Sequence, residues 1–315
     1  MLNNVKSRVI LNVIFYMMKN KRKLKIIKYN KRMIKKFNIT KEDFEMYEKL
    51  RDFNLKYNLN LDDIDMREFN LRGKYIENEG FRNMNLIEFT RIRKLNLSYN
   101  NISNIGILNS LKIKELDILD LSNNQIVYIS ILEKSFLKEL QELNLSYNKI
   151  SDINILEKAN FKNLKELDLS NNEIVEINIL KKVDFQRLKK LDLSGNRISD
   201  ITILADVKFG ELKILVLSDN QIKDINILSK TDFKELLELD LTNNSISDIN
   251  VLSKVNFKRL KILGLNNNKI SNIDILKNIQ FKELKELDLR KNKISKIKNN
   301  LILSYLESII EDLYI

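Results

Sequence analysis

Hydrophobic and polar positions alternate over short runs in this chain, and each run breaks at an asparagine. In residues 167–180, LDLSNNEIVEINIL, leucines two residues apart predict a short strand with one buried side, and isoleucines then follow at spacings of three and two. The asparagine recurs at every twenty-fourth position without a slip, at Asn100, Asn124, Asn148, Asn172, Asn196, Asn220, Asn244, Asn268 and Asn292. Such a period is typical of stacked repeats, in which each coil buries its apolar side against its neighbours.

The repeat reads F-x-x-L-x-x-L-x-L-x-x-N-x-I-x-x-I-x-I-L, and nine copies cover about residues 89–304. The L-x-L core predicts a strand, and the asparagine after it ends the strand and turns inward. Its amide has donors and an acceptor, so stacked asparagine side chains can satisfy backbone groups that the turn buries. Phenylalanine shares its position with Ile113 and Leu137, which favours a packing spine over a ligand site.

This string resembles the leucine-rich repeat family, whose consensus L-x-x-L-x-L-x-x-N-x-I it matches throughout, with Ile92 replacing the first leucine in the first repeat. It is most similar to the short repeats of bacterial internalins and of the regulatory subunit of type-1 protein phosphatase, although its period is longer than theirs. The resemblance implies an α/β solenoid with a curved parallel sheet on the concave face and short helical turns on the convex face.

Segments without the period flank the repeats, and we expect them to close the ends of the solenoid. After the ninth repeat, Leu303, Leu306, Ile310 and Leu313 share one side of a predicted cap helix. The predicted domains are a basic helical segment (1–58), an N-terminal capping region (59–88), nine repeats (89–304) and the end of the C-terminal cap helix (305–315).

The composition excludes several classes of enzyme. The chain has no His and no Cys, so Ser–His–Asp and Cys–His nucleophiles and Cys/His zinc sites are impossible. Its six glycines are scattered and form no phosphate-binding loop. Aspartates recur at one strand position, with Asp168 and Asp192 expected about 4.8 Å apart, but Asn, Val and Gly also occupy that position, so we interpret it as solvated. We predict no enzymatic activity, catalytic residue, metal site or cofactor.

The predicted functional surface is the concave face, where strand side chains point away from the core. Nine strands give a face of roughly 40 by 17 Å, about 700 Å², which approaches the roughly 800 Å² that one partner contributes to a standard protein interface. Acidic and apolar side chains on it predict a protein partner with basic and apolar groups, and neutral variation is the alternative. The candidate contact residues are Tyr99, Ile118, Asp120, Glu142, Asn144, Tyr147, Glu166, Asp168, Asp192, Ile214, Val216, Glu238, Asp240, Ile262 and Asp288.

The net charge of +12 lies entirely in the segment 1–40, which holds twelve Lys or Arg and no acid, while residues 41–315 hold 43 basic and 43 acidic residues. This excludes a uniformly basic nucleic-acid-binding body. Residues 7–37 predict two amphipathic helices, with three interpretations: a small helical domain, a basic segment on anionic membrane or RNA, or a segment that resembles an F-box. The F-box resemblance implies docking onto the adaptor of a cullin ubiquitin ligase through Ile10, Leu11, Ile14, Phe15, Leu24 and Ile26, although Ser7 and Met33 depart from that family's proline and tryptophan.

The longest apolar run, residues 9–18, is shorter than the roughly 20 residues that span a bilayer, and no small-residue cleavage site follows it. We therefore predict a cytoplasmic, monomeric, non-catalytic interaction scaffold for an unidentified protein partner. A ubiquitin-ligase substrate receptor is the alternative, and the repeat subtype leaves a phosphatase regulatory subunit as a further one.

Overall fold

A computed structural model describes residues 52, 55–57, 68–83, 92–111, 113, 115–134, 137–279 and 281–315. In these residues, eleven short parallel strands form one open curved sheet in which every strand pairs with the next along the chain. The strands are β1 (Glu68–Asn70), β2 (Lys94–Asn96), β3 (Ile118–Asp120), β4 (Glu142–Asn144), β5 (Glu166–Asp168), β6 (Lys190–Asp192), β7 (Ile214–Val216), β8 (Glu238–Asp240), β9 (Ile262–Gly264), β10 (Glu286–Asp288) and β11 (Asp312–Tyr314).

Short helical turns lie on the other side of the coils. Eight 3-10 helices and two α-helices, α1 (Asn78–Asn83) and α2 (Lys296–Ile309), have defined bounds in the described part of the chain. The 3-10 helices are Gly106–Ser110, Ser130–Glu133, Asn154–Glu157, Asn178–Lys181, Thr202–Ala205, Asn226–Lys230, Asn250–Ser253 and Asp274–Asn278. Their isoleucines and leucines pack against the strand leucines, so one continuous core runs through the solenoid. The predicted fold class is confirmed.

Each strand is short because the chain turns soon after it. The residue before each ladder asparagine adopts a left-handed conformation, with φ between 52° and 62° at the eight such positions from Tyr99 to Asn267. A β-strand cannot continue through that backbone conformation. In strands β1 to β10 the middle residue is buried and its two neighbours point away from the core.

The predicted asparagine ladder is present. Asn172 shows its pattern: the side-chain amide nitrogen donates to the carbonyls of Leu169, Ser170 and, in the preceding coil, Leu145, at 3.0–3.1 Å. Its side-chain oxygen accepts the backbone N–H of Ile150 at 3.0 Å. One side chain therefore joins two coils and satisfies both donors and acceptors in a buried turn.

The predicted phenylalanine spine is also internal. Phe161, Phe185 and Phe209 are buried, and successive rings lie 6.2 Å apart between centroids in stacked orientation. Ile113 and Leu137 fill the same position and are buried too. These rings stabilise the solenoid and are inaccessible to a ligand.

Both ends contain a strand that the repeat pattern did not predict. Phe69 of β1 pairs with Leu95, and Leu287 pairs with Leu313 of β11, so in both pairs the two residues are 26 positions apart instead of the 24 of the repeats. The prediction that a cap helix extends over residues 305–315 was wrong, because α2 ends at Ile309 and the chain returns to the sheet as β11. Ile310 and Leu313 therefore lie outside the helix.

Residues 1–51 lie outside the described residues, and so do the predicted adaptor-docking side chains, Phe89 and most of the predicted basic segment. The interpretations of residues 7–37 stay predictions. In the part of the chain that is described, no helix combines the length and apolar character needed to cross a membrane.

Candidate functional site

Two parallel rows of side chains cover the concave face. We name each row after the strand position that it contains. The first row consists of the first residue of every strand, and the third row consists of the third residue. Because the strands pair in register, members of a row lie side by side on neighbouring strands. All the predicted contact residues except the two tyrosines belong to these rows, so the structure brings them together on one face.

The rows are strongly acidic. Together they contain eleven Asp or Glu and two lysines, Lys94 and Lys190. Among the described residues, no lysine or arginine forms an ion pair with the predicted carboxylates of β3 to β8. The face therefore has a surplus of negative charge that the fold itself does not neutralise.

The carboxylates of the third row are not simply solvated, which corrects the sequence-based interpretation. Asp168 and Asp192 are half-buried, and one oxygen of each accepts the backbone N–H of the serine two residues later, at 2.9 and 3.0 Å. Asn144 accepts the equivalent bond at 2.9 Å through its amide oxygen. At these three positions a side-chain oxygen therefore closes the turn, and the negative charge of the aspartates is additional.

The serine row that follows is mostly buried rather than a part of the contact surface. Its members Ser98, Ser122, Ser146, Ser170 and Ser218 are all buried beneath the turn. Each serine lies two residues after the third-row position, but it is buried because the chain turns inward at this point.

Burial and repulsion alter the acidity of two carboxyls. Burial raises the pKa of Asp192, and the charge of Asp168, its partner in register, raises it further. Burial also raises the pKa of Glu238, with a further contribution from Asp240. These groups therefore hold their negative charge less readily than carboxyls in water do.

An apolar patch surrounds Glu238. Ile214 and Ile262 flank it on the neighbouring strands, and both are half-buried. Val216 and Gly264 flank Asp240 in the same way, and a Cβ at Gly264 would lie 2.5 Å from an Asp240 carboxylate oxygen. The departures from the repeat thus form one patch on β7 to β9, which accounts for the burial of Glu238.

The two predicted tyrosine anchors differ in their surroundings. Tyr99 and Tyr147 occupy the left-handed position after the serine row, with φ of 60° and 53°, and are 47% and 56% exposed. The guanidinium of Arg72 lies over the Tyr99 ring at 4.6 Å from its centroid. Among the described residues no such cation lies over Tyr147.

Sequence reasoning missed a guanidinium site at the C-terminal end. Arg290 donates to both oxygens of Asp288, at 2.9 and 2.6 Å, and its guanidinium lies 4.7 Å from the centroid of the Tyr314 ring. Burial by itself favours protonation of Asp288, but these bonds and one from Asn266 outweigh it and lower the pKa of the carboxyl. The only sequence signal was an arginine in the serine row.

The described residues contain no cluster of acidic side chains arranged to hold a metal ion. The geometry of the face is that of an open, acidic surface with one apolar patch and two exposed aromatic rings. These features suit contact with an extended partner surface.

The stacked coils, the single parallel sheet and the asparagine ladder define a solenoid repeat protein. A family model described as leucine-rich repeats in two copies matches residues 114–158, 138–182, 162–206 and 186–230, and a single-repeat model matches residues 91–109. The chain belongs to the leucine-rich repeat family.

Solved structures give the same result. The chain is 30% identical to an internalin C2 from Listeria monocytogenes, with a TM-score of 0.50, and the match covers 61% of this chain and 75% of that one. It is 30% identical to the TLR13 chain of a TLR13–ssRNA13 complex over 66% of this chain and 30% of that one, with a TM-score of 0.54. It is 24% identical to the ectodomain of the Arabidopsis thaliana receptor kinase GASSHO1/SCHENGEN3, with a TM-score of 0.53, and the match covers 67% of this chain and 25% of that one. This likeness shows the fold alone. The chain thus spans less than a third of these two longer proteins. None of the curated proteins matches it.

Proposed function

We propose that this chain is a non-catalytic interaction module that binds a protein partner on the concave face of its solenoid. The observation that supports this most is the acidic surface of β3 to β8, whose carboxylates form no ion pair among the described residues, with the apolar patch of β7 to β9 next to it. Such a surface fits a partner that presents basic and apolar side chains.

The size of the face agrees with this proposal. Eleven strands give a length of roughly 50 Å, and a width of about five residues gives roughly 17 Å. The resulting area of about 850 Å² is close to the roughly 800 Å² that one partner contributes to a standard protein–protein interface. An open face of this shape suits a macromolecule better than a small ligand, which needs a concave pocket.

The charge favours protein over nucleic acid. One similar structure is a complex of TLR13 with ssRNA13, and the GASSHO1/SCHENGEN3 ectodomain was solved in complex with CASPARIAN STRIP INTEGRITY FACTOR 2. The fold is therefore compatible with different classes of partner. On this chain the eleven acids of the two rows would repel a phosphate backbone, whose binding depends on Lys and Arg.

The proposal can be tested with a photo-crosslinking amino acid placed at Ile214 on the concave face and, in a control, at the exposed Lys208, which precedes the same strand but lies outside both rows. We expect a protein adduct in lysate of the native cells from Ile214 but not from Lys208. Adducts of equal yield from both sites, or from Lys208 alone, would refute the proposal.

A charge variant sharpens the test. The triple substitution of Asp168, Asp192 and Asp240 by Asn removes three charges but keeps the turn acceptor, as Asn144 shows. We expect it to reduce the Ile214 adduct strongly. The matched control is the substitution of Glu176, Glu211 and Glu283 by Gln, which makes the same change in net charge at exposed positions outside the two rows. The acidic surface has no role in binding if both triple variants behave alike.

A further inference from the structure

Tyr147 occupies a backbone conformation that its residue type disfavours. Left-handed φ values are tolerated by Asn, Asp and Gly and are uncommon for bulky residues. The equivalent residue is asparagine at Asn123, Asn171, Asn243 and Asn267, glycine at Gly195 and aspartate at Asp219, and a long side chain occurs elsewhere only at Tyr99 and Lys291. More than half of the Tyr147 side chain is exposed, so packing does not offset the strain. A strained, exposed aromatic residue on a candidate binding face points to a contact outside the chain.

Two other tyrosine rings on this face are each covered by an arginine side chain. Tyr99, at the equivalent position two coils earlier, is covered by the guanidinium of Arg72. At the other end, Tyr314 is covered by Arg290, which is also held by the carboxylate of Asp288. In both cases the ring face and the planar cation lie less than 5 Å apart.

Tyr147 has neighbouring carboxylates but no arginine of its own. It follows β4, and the adjacent strands β3 and β5 end in Asp120 and Asp168. Within the described part of the chain, neither carboxylate forms an ion pair and no cation lies over the ring. An exposed ring and two carboxylates on the flanking strands therefore lie on one face, with no cation bound to them among the described residues.

We propose that Tyr147, with Asp120 and Asp168 as counter-charges, is a binding site for an arginine side chain of the partner. This inference rests on the proposed function, since it specifies one contact of that interface. Arginine fits better than lysine because a planar guanidinium stacks on a ring while its edge donates to a carboxylate, whereas an ammonium is a compact point charge.

The first experiment uses a defined probe, a tripeptide amide with arginine between two leucines, and NMR of the protein with labelled tyrosine rings. We expect the probe to shift the Tyr147 signals and to leave those of Tyr128, which is 80% exposed and lies next to the 3-10 helix Ser130–Glu133, away from the sheet. The same peptide with neutral citrulline should not shift Tyr147, and the lysine peptide should shift it less. Equal shifts with citrulline, or equal shifts at Tyr128 and Tyr147, would overturn the proposal.

Three variants separate the ring from the fold. Tyr147→Phe keeps the ring and should bind the probe nearly as well, whereas Tyr147→Asn should bind it roughly two- to fivefold more weakly. Arg72→Met should uncover Tyr99 and create a second responsive ring. Probe binding that is unchanged in Tyr147→Asn would contradict the site.

Stability gives an independent readout, because Tyr147→Asn places the residue type of the other coils in the left-handed position and should raise the unfolding midpoint. A lower midpoint would show that the tyrosine serves the fold. Finally, if Tyr147→Asn leaves the Ile214 photo-adduct unchanged, the arginine site is refuted while the proposed function stands. Loss of that adduct, with a raised midpoint, would support both.

Discussion

Asn172 is the position at which the ladder can be broken with a predictable result. Its side-chain oxygen is the acceptor for the buried N–H of Ile150, for which no other acceptor is present among the described residues. The three carbonyl oxygens that accept hydrogen bonds from its amide nitrogen each keep a second donor. These donors are the side chain of Asn148 for Leu145, the side chain of Asn196 for Leu169 and the backbone N–H of Tyr147 for Ser170. Asn172→Ala therefore leaves one buried donor unsatisfied, which costs about 1–3 kcal/mol.

Asn172→Asp should be worse, although the two side chains have the same shape. The carboxylate can still accept from Ile150, but it places a buried negative charge against three carbonyl oxygens. An uncompensated buried charge costs about 3–5 kcal/mol. We expect the defect to shrink at acid pH, because a protonated carboxyl can donate to one of these carbonyls.

Urea unfolding followed by circular dichroism measures both variants, and hydrogen exchange locates the damage. The amide of Ile150 should lose protection, whereas that of Ile246, which makes the same bond to Asn268 four coils away, should change less, because coils contact only their neighbours. Asn171→Gly is the matched control and should stay within about 0.5 kcal/mol. An Asn172→Asp variant as stable as the wild type would refute the reasoning.

Three further predictions concern carboxyl charge, the aromatic spine and the N-terminal segment. Since burial raises the pKa of Asp192 above its usual 3.8, this carboxylate destabilises the fold at neutral pH and less so as pH falls toward that value, so Asp192→Asn should stabilise the protein at neutral pH. The pKa of Asp288 is lowered, so the stability that its charge contributes is present above pH 3.8 and is lost as pH falls below that value. Asp288→Asn should therefore destabilise the protein at neutral pH. Urea unfolding at several pH values should show changes of opposite sign in the free energy of unfolding for the Asp192 and Asp288 variants. Phe185→Ala should lose about 3–5 kcal/mol in urea unfolding, but Phe185→Leu much less, because leucine fills this position in another coil. The F-box resemblance predicts that deletion of residues 1–40 removes a cullin adaptor from an affinity purification and that this contact barely depends on salt; a steep loss between about 50 and 200 mM would instead indicate phosphate contacts.

The repeats could be predicted in detail because one physical constraint fixes their length. Each asparagine of the ladder must form hydrogen bonds with the coil before it, so a change of spacing would break these bonds. Because the period is therefore constant, the sequence predicts both the position of each strand and the role of the asparagine. The end strands lacked that signal. Lys74 stands where β1 would need the ladder asparagine, and the chain reaches β11 through the α-helix α2 rather than a 3-10 turn.

The candidate site was less predictable. Periodicity identifies which side chains point away from the core, and it placed Asp168 and Asp192 correctly as neighbours. It carries no information on hydrogen bonds made by outward-pointing groups, so the turn-closing role of these carboxylates was missed. The coverage of Tyr99 by Arg72 was equally invisible, because it depends on β1 and therefore on a coil with a different period.

The structural role of the third row strengthens the case for a functional role of its charge. If an aspartate there served only to close the turn, asparagine would serve equally well, as Asn144 does with the same bond. At Asp192 the charge disfavours folding, since burial and the repulsion from Asp168 raise the pKa of its carboxyl. At Asp192 the turn does not need the charge and the fold opposes it, which is what the proposed partner with positive charge would account for. Asp288 is the exception in this row, because Arg290 of the chain itself supplies the positive charge.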